Sequence, residues 1–406
     1  MSDSVHRLAV ISLHTSPLAQ PGAGDGGGMN VYVAEMVAAL AQAGVDCTVF
    51  TRRSSVDQAT RVQVEPGFDV VHVDAGSIDL PKDDLAEVLD EFTAALAEHP
   101  DVEAADAIHA HYWLSGEVGH RLKHDLGIPL AVSFHTLGRV KAGAGDAEPA
   151  ERISREQRIV QCADALVANA PPERDQLTTL YQADPQRIEI INPGVDHALF
   201  SPGSRAGARR ATGLGDGPVL LFVGRIQPLK GVDLAIEALA GMDRPDAVLV
   251  VMGGPSGTEG EAHLREVRRL AADLGVAERV IWQPPMARHV LSTWYRAADV
   301  VVVPSRSESF GLVALEAAAC GVPVVATAVG GLRTVVVDGV TGLLVPSRTA
   351  DAFAGAIGSL LADPAHAAAL GAEAAVHARE FTWTRAAARL RQAVGELCRG
   401  TLVDCR

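Results

Sequence analysis

Ser305-Arg306-Ser307-Glu308-Ser309-Phe310-Gly311-Leu312-Val313-Ala314-Leu315-Glu316 sets two carboxylates eight residues apart around a glycine, and its reading decides the fold. The apolar run Val300 to Val303 stops at Pro304, which cannot donate to a sheet ladder. The run Leu312 to Ala319 is helical in pattern and ends at Cys320-Gly321, as a glycine-closed helix does. Ser309, Phe310, Gly311 and Leu312 therefore fall at a strand-to-helix turn, where open amides and the positive end of the helix dipole can hold a phosphate. Glu308 would lie in the loop beside that phosphate, and Glu316 would point from the helix toward whatever the phosphate carries. One suits a sugar and the other a ribose. In isolation the pair reads equally well as two surface glutamates, so the rest of the chain has to decide.

Short β-branched runs alternate with longer helical patterns from end to end, the signature of parallel α/β units. Strands are expected at Leu8 to Ser12, Cys47 to Phe50, Val70 to Val73, Ala107 to Ala110, Leu130 to Ser133, Ala165 to Ala168 and Ile188 to Ile191. A second series is expected at Val219 to Val223, Ala247 to Met252, Val280 to Trp282, Val300 to Val303, Val324 to Ala326 and Leu343 to Val345. The helix Val31 to Ala43, closed by Gly44, is the clearest crossover. The polar stretch Ser201 to Gly217 reads as an interdomain linker. It divides the 406 residues into a first domain, 1–200, and a second, 201–378, with a helical tail, 379–406. That length exceeds what one core supports. A content of 48% hydrophobic but only 4% aromatic residues suits helices packed on buried parallel strands. Two doubly wound domains of this kind bind ligands at the carboxyl ends of their strands.

A formal net charge of −15 argues against nonspecific binding to nucleic acid or anionic lipid. The cysteines Cys47, Cys162, Cys320, Cys398 and Cys405 are scattered without ligand spacing and are odd in number, so they read as reduced thiols. No apolar run reaches membrane-spanning length and no cleavable signal is visible, which points to a cytoplasmic protein without integral membrane association.

After the first strand, His14-Thr15-Ser16-Pro17 leads into the glycine-rich loop Gly22-Ala23-Gly24-Asp25-Gly26-Gly27-Gly28-Met29-Asn30. Glycine lets backbone approach a ligand closely, and a helix start follows. No Gly-Lys-Ser or Gly-Lys-Thr follows, so this is not a Walker loop. The alternative is a flexible surface loop. Ser133-Phe134-His135-Thr136 puts an imidazole and a hydroxyl just past a strand end, although a lone histidine is also often a satisfied structural residue. Phe222-Val223-Gly224-Arg225-Ile226-Gln227-Pro228-Leu229-Lys230-Gly231 sets two cations five residues apart after a strand. Together they could neutralise a diphosphate, where a solvated basic turn is the rival reading.

With these motifs around Glu308 and Glu316, the chain resembles the retaining GT-B glycosyltransferases that carry a Glu-x7-Glu signature. Leu13 to Pro17, Gln20-Pro21, Asp25, Gly27 to Tyr32, His111 to Gly116 and Arg225 to Lys230 extend the resemblance over nearly the whole chain, to the D-inositol 3-phosphate glycosyltransferase family of mycothiol biosynthesis. The resemblance implies two Rossmann-like domains facing across a cleft, with the last helix crossing back onto the first. It implies retaining transfer of N-acetylglucosamine from UDP-N-acetylglucosamine to 1D-myo-inositol 3-phosphate. The donor side would comprise Gln20, Pro21, Gly28, Arg225, Lys230, Met286, Glu308, Ser309, Phe310, Gly311, Leu312 and Glu316. Of these, Arg225, Lys230 and Glu308 would act at the reacting centre with His135, which would position the donor sugar. The acceptor side would comprise His14, Asp25, Gly26, Gly27, Gly28, Met29 and Asn30, with Lys82, Tyr112, Thr136 and Arg152 on the acceptor phosphate. Lys82 and Arg152 sit in loose contexts and read equally as surface residues.

The same resemblance implies that no cofactor is required for the chemistry. Mg2+ is an optional ion held by backbone at Tyr295, Arg296 and Ala298, a stretch that reads equally as packed helix. Met286 stands where the family often has an arginine, and Val322 where Gly-Thr-Pro is common. Retention without a placed protein nucleophile implies attack on the face the leaving group departs from. A homodimer is left open. Two rival functions remain: transfer to another cyclitol, aminocyclitol or sugar phosphate, and a noncatalytic sugar-nucleotide sensor.

Overall fold

The computed structural model describes residues 5–405 apart from 23, 25, 146, 258 and 259. The chain forms two compact units: Met1–Ala19, Met29–Gly194 and Trp383–Arg406 make the first, and Gln20–Gly28 with Val195–Thr382 the second.

The first unit is built on eight strands: β1 (Arg7–Ile11), β2 (Asp46–Arg52), β3 (Arg61–Glu65), β4 (Phe68–Val73), β5 (Ala107–His111), β6 (Leu130–Ser133), β7 (Ala165–Ala168) and β8 (Ile188–Ile190). Their order is β3-β4-β2-β1-β5-β6-β7-β8. Every neighbouring pair is parallel except β3 with β4, whose antiparallel register shifts at Gln63/Glu65. Strand β3 has no counterpart among the expected strands. Its two valines alternate with Arg61, Gln63 and Glu65 and most of it is exposed, so it lacks the apolar run that marks the others and instead makes an edge whose charges resist pairing with other chains.

The second unit has β9 (Val219–Val223), β10 (Val248–Met252), β11 (Val280–Gln283), β12 (Val300–Val303), β13 (Val324–Thr327) and β14 (Gly342–Val345). They are all parallel, in the order β11-β10-β9-β12-β13-β14. The remaining expected strands of both halves form within two residues of their expected bounds, because burial on both faces selects continuous Val, Ile, Leu and Ala.

In each sheet the chain starts in the middle, builds one side, then returns to build the other. The order reverses between β1 and β5 in the first unit and between β9 and β12 in the second. A doubly wound sheet leaves its ligand crevice at such a point, beyond the carboxyl ends of the strands.

Three expectations need correction. Ser201 to Gly217 is not an open linker, since it carries the helix Arg205–Thr212. Ser204 caps that helix by accepting from Gly207 N, Gly213 closes it at φ 73°, and Arg205 and Arg209 pair with Asp299 at 2.6 and 2.5 Å. Its polar composition concealed a properly capped helix. The units accordingly part at Gly194/Val195 rather than at 200/201, and the returning tail begins at Trp383 rather than at 379. Finally, Cys162 and Cys405 are joined as a disulfide rather than being reduced thiols. They lie 243 residues apart, so only the folded tail brings them together. That tail runs along the first unit as the helix Trp383–Leu397, with Arg389 paired to Glu189 at 2.7 Å and Arg391 donating to the Ala43 carbonyl at 3.0 Å. Among the described residues no helix is long and apolar enough to cross a membrane.

Candidate active site

In the first unit, β1, β5 and β6 lie side by side, and each is followed by candidate residues: His14 after β1, Tyr112 after β5, His135 and Thr136 after β6. Tyr112 and His135 have φ of 74° and 59°. Among the described residues the other non-glycine residue with positive φ is Gln182, an ordinary left-handed helix cap. Such backbone costs about 1–3 kcal/mol and persists only where packing enforces it, commonly at sites that use the geometry.

What Tyr112 gains is a central place among cations. Its ring centroid lies 4.6 Å from that of His14, 5.8 Å from Lys82 Nζ and 5.0 Å from Arg152 Cζ. Arg152 donates to both the carbonyl and the hydroxyl oxygen of Thr136 at 3.0 Å. Lys82, Tyr112, Thr136 and Arg152, from four separate segments, are thus gathered in one place. Arg152 is no surface residue, being 5% exposed. Glu148, just before the helix Ala150–Cys162, and Glu156, one turn further along it, accept from Arg152 at 2.7 and 2.8 Å. Glu156, fully buried, also accepts from Gly138 N at 2.9 Å and from the Tyr181 hydroxyl. Burial pushes the Tyr112 hydroxyl up from its ordinary value, with Arg152 acting in the opposite sense, so it stays protonated and able to donate.

His135 Nε2 meets His111 Nδ1 at 2.9 Å, and His109 Nε2 meets Ser133 Oγ at 2.9 Å. Burial pushes His109 and His135 from the ordinary 6.5 down to about 3, and pushes His111 well below 6.5. A neutral imidazole of such low basicity positions a ligand but is poorly matched to proton transfer near pH 7. The low values also carry a stability consequence. An unfolded chain takes up protons on these histidines below about pH 6.5 that the fold refuses until far lower, so stability is complete above that value and is lost as pH falls. Buried Glu173, pushed up to about 7, has the opposite sign: it favours the fold at low pH and loses that contribution as pH rises through 7. Three imidazoles outweigh one carboxyl. The thermal midpoint should therefore fall between pH 7 and 5, and less steeply in His109→Gln; equal slopes in the two proteins would contradict the assignment.

In the second unit, Arg225 and Lys230 lie on the turn after β9, beside the segment that leaves β12. Arg306 N donates to the Leu229 carbonyl at 2.9 Å, fastening the two segments together. Lys230 Nζ meets Glu308 Oε2 at 2.7 Å, and the Ser305 hydroxyl lies 3.3 Å from the same oxygen. Arg225 and Gln227 donate to Ser256 Oγ at 3.3 and 3.0 Å. Gly311, at φ 103°, begins the helix Leu312–Ala319, and no side chain caps that start. A side chain at Gly311 would also meet Leu332 Cδ2 at 2.6 Å. Gly331 N donates to the Glu308 carbonyl at 2.9 Å, and a Cβ at Gly330 would stand 2.0 Å from that oxygen. The Gly330-Gly331 pair therefore shapes the Glu308 to Phe310 turn, and a glycine pair beginning four residues past the apolar run Val324 to Ala326 was a usable signal for it. Phe310 is buried against Phe381, with ring centroids 5.7 Å apart. Glu316 is buried as well, accepting from the Tyr295 hydroxyl at 2.9 Å, with Arg288 Nε 3.9 Å from its other oxygen.

The glycine loop changes its assignment. Gln20 to Gly28 packs as part of the second unit, not the first. Gln20 Nε2 donates to the carbonyls of Pro21 and Met286 at 3.2 and 2.9 Å, and Gly254 N donates to the Gly22 carbonyl at 3.0 Å. Gly27 lies against Arg225, where a Cβ would stand 3.3 Å from Nε, and Gly28 lies against Leu312. Gly26 and Gly27, expected on the acceptor side, and Gly28, expected on both sides, are thus grouped with the donor-side residues, whereas Met29 and Asn30 belong to the first unit. Asn30 is buried and donates to Thr15 Oγ1 and the Ser16 carbonyl at 2.7 and 2.6 Å, holding the His14 loop. Asp25 lies outside the described residues.

Tyr295, Arg296 and Ala298 lie at the end of the helix Arg288–Ala297. Tyr295 is turned to Glu316, Arg296 donates to the Ser201 carbonyl and Ser292 Oγ, and Arg209 donates to the Ala297 carbonyl at 3.1 Å. The side chains of Tyr295 and Arg296 are thus engaged within the protein, and main-chain oxygens are what the stretch would offer Mg2+.

Two doubly wound units, each with its candidate ligand residues at the point where strand order reverses, define a GT-B glycosyltransferase. Residues 205–377 match the model of the family described as glycosyl transferases group 1, and residues 27–194 that of the glycosyl transferase 4-like domain. Sucrose-phosphate synthase from Thermosynechococcus elongatus superimposes with a TM-score of 0.90 at 34% identity, covering 95% of this chain and 98% of that one. Anabaena HepE in complex with UDP and glucose gives 0.78 at 19% identity, covering 96% and 100%, a likeness of fold. The D-inositol 3-phosphate glycosyltransferase of Kineococcus radiotolerans is 49% identical over 94% of this chain and 93% of its own. That of Acidothermus cellulolyticus is 50% identical over 93% and 87%. The chain belongs to the D-inositol 3-phosphate glycosyltransferase family.

Proposed function

We propose that this enzyme transfers N-acetylglucosamine from UDP-N-acetylglucosamine to 1D-myo-inositol 3-phosphate, with retention at the anomeric carbon, as a cytoplasmic step of mycothiol biosynthesis. The observation that carries the reading is the convergence of Lys82 and Arg152 on the Tyr112 ring, with Thr136 bonded to Arg152. Two cations and two hydroxyls form a donor set suited to a phosphate monoester. The names of the relatives supply the cyclitol. On the donor side, Arg225, Lys230 and the uncapped amides at Leu312 would meet the diphosphate, where negative charge grows as the glycosidic bond breaks.

In this reading an inositol hydroxyl oxygen bonds to the anomeric carbon while that carbon's bond to the diphosphate breaks. The hydroxyl proton passes to an oxygen of the departing phosphate on the same face, and UDP leaves. His135 positions and does not titrate, and no metal ion carries a step. A panel of nucleotide sugars crossed with inositol, its phosphates and other cyclitols tests the assignment. UDP-N-acetylglucosamine with inositol 3-phosphate should give the highest kcat/KM, and another pair prevailing would replace it. Donor binding without transfer to any acceptor would instead favour a sensor.

The two carboxylates should separate cleanly. Glu308→Gln removes the charge that holds Lys230, leaving the ammonium to the diphosphate. Its affinity for UDP should be kept or raised while turnover drops by about tenfold or more. Glu316→Gln, assigned to the ribose and buried against Tyr295, should weaken UDP binding. Calorimetry giving the reverse, with Glu308→Gln unable to bind UDP and Glu316→Gln unaffected, would exchange the two roles.

A further inference from the structure

The helix Tyr112–Leu126 carries His120 and His124 one turn apart, so both imidazoles leave the same face. Their ring centroids are 5.0 Å apart in an edge-to-face arrangement. Beside them are Cys162, the last residue of the helix Ala150–Cys162, and Cys405 from the tail. His124 Nε2 lies 3.2 Å from each sulfur. One donor atom from each of the four side chains lies within 4.8 Å of all the others. None of them belongs to either candidate phosphate site.

We propose that the reduced protein binds a zinc-class divalent cation through His120, His124, Cys162 and Cys405, and that the disulfide is the metal-free, oxidised form of the same site. Two imidazoles and two thiolates are a set that zinc takes tetrahedrally, with bonds of about 2.0–2.3 Å and ligand atoms therefore about 3.3–3.8 Å apart. The two His124-to-sulfur distances, 3.2 Å each, are already close to that. Closing the site needs the sulfurs to part, which reduction allows, and His120 to move in from within 4.8 Å.

The backbone that presents the two cysteines is fixed independently of them. Lys123, 2% exposed, pairs with Asp164 Oδ1 at 2.8 Å and donates to the carbonyls of Cys162 at 2.6 Å and Val403 at 3.0 Å. Val403 N returns a hydrogen bond to Asp164 Oδ1 at 2.7 Å. One buried ion pair thus anchors Cys162 itself and the chain two residues before Cys405, which reduces the ordering cost of closing a metal site. A dithiol reductant would open the bond, transferring two electrons and two protons to the cysteines and leaving as its own disulfide. The metal would then displace both thiol protons to solvent.

The full-length protein, reduced with a dithiol, desalted without oxygen and titrated with Co2+, should take up one ion per chain. Thiolate-to-cobalt charge transfer and tetrahedral ligand-field bands should appear and then vanish as Zn2+ displaces the cobalt. Without prior reduction uptake should be absent. Cys405→Ser and His124→Ala should each weaken binding at least tenfold while leaving transferase activity, which serves as the folding control, unchanged. Uptake no greater than that of a Cys162→Ser/Cys405→Ser protein would overturn the site. An affinity and spectrum unaltered by a His120→Ala/His124→Ala change would remove the imidazoles and overturn it equally.

Discussion

Alanine at Arg225 or Lys230 should lower turnover at saturating donor by about 10²-fold or more, because each removes a charge-assisted contact made where charge develops on the leaving group. Lys230 is paired with Glu308 at 2.7 Å. Lys230→Ala removes a cation and also leaves the Glu308 carboxylate beside the assigned diphosphate position, where like charges repel. Adding Glu308→Gln to it should therefore recover part of the lost UDP affinity. Such non-additivity is the sign of a direct contact. Lys230 and Glu308 keep side-chain exposures of 23% and 17%, so their pair lies between the surface case and the buried one, and a modest change in melting temperature is expected. Near-wild-type turnover in either alanine variant, measured with saturating nucleotide sugar, would end the diphosphate assignment.

The sheets were legible because parallel strands buried on both faces must be apolar throughout, and β12, four consecutive valines closed by Pro304, is the clearest instance. Part of the site was legible for a related reason: its motifs follow strands at or beside the two reversals of strand order, so Thr136, Arg225 and Glu308 could be placed from local sequence, whereas Tyr112 came from the family resemblance. What escaped reading depends on long-range contact. The Gln20 to Gly28 loop lies in sequence beside β1, yet its hydrogen bonds go to Gly254 and Met286. Cys162 and Cys405 are 243 residues apart, and spacing alone cannot pair them. Arg152 looked like a surface residue because its helix is strongly charged. The spacing Glu148, Arg152, Glu156, four residues each way, was the signal that it is buried among carboxylates. His109 and His111 interrupt the apolar pattern of β5, which shortened the expected strand by one residue although the whole of it is buried.

The same burial changes how the acceptor site can be tested. Arg152→Ala would leave Glu148 and Glu156, 4% and 0% exposed at their side chains, without the guanidinium that pairs them. Breaking a buried pair from one side costs about 3–5 kcal/mol, so that variant should unfold before it reports on binding. Lys82 is half-buried over the Tyr112 ring, which makes Lys82→Ala the more informative change, with Arg152→Lys as its companion. A contact to a charged group is worth about 1.5–3 kcal/mol, or roughly 10- to 150-fold in affinity. Wild-type enzyme should accordingly use inositol 3-phosphate far better than free inositol. Lys82→Ala should raise the KM for the phosphorylated acceptor by about tenfold or more, with kcat little changed, as removal of uniform binding does. The KM for the donor should stay within about twofold, and activity toward free inositol should be untouched. Arg152→Lys keeps the charge but loses the fork that spans Thr136 and the two carboxylates, so it should weaken the acceptor without abolishing folding. If the enzyme transfers efficiently to an unphosphorylated cyclitol and gains nothing from a phosphate, the cluster around Tyr112 serves another purpose and the acceptor must be sought elsewhere, with the glycosyltransferase assignment intact.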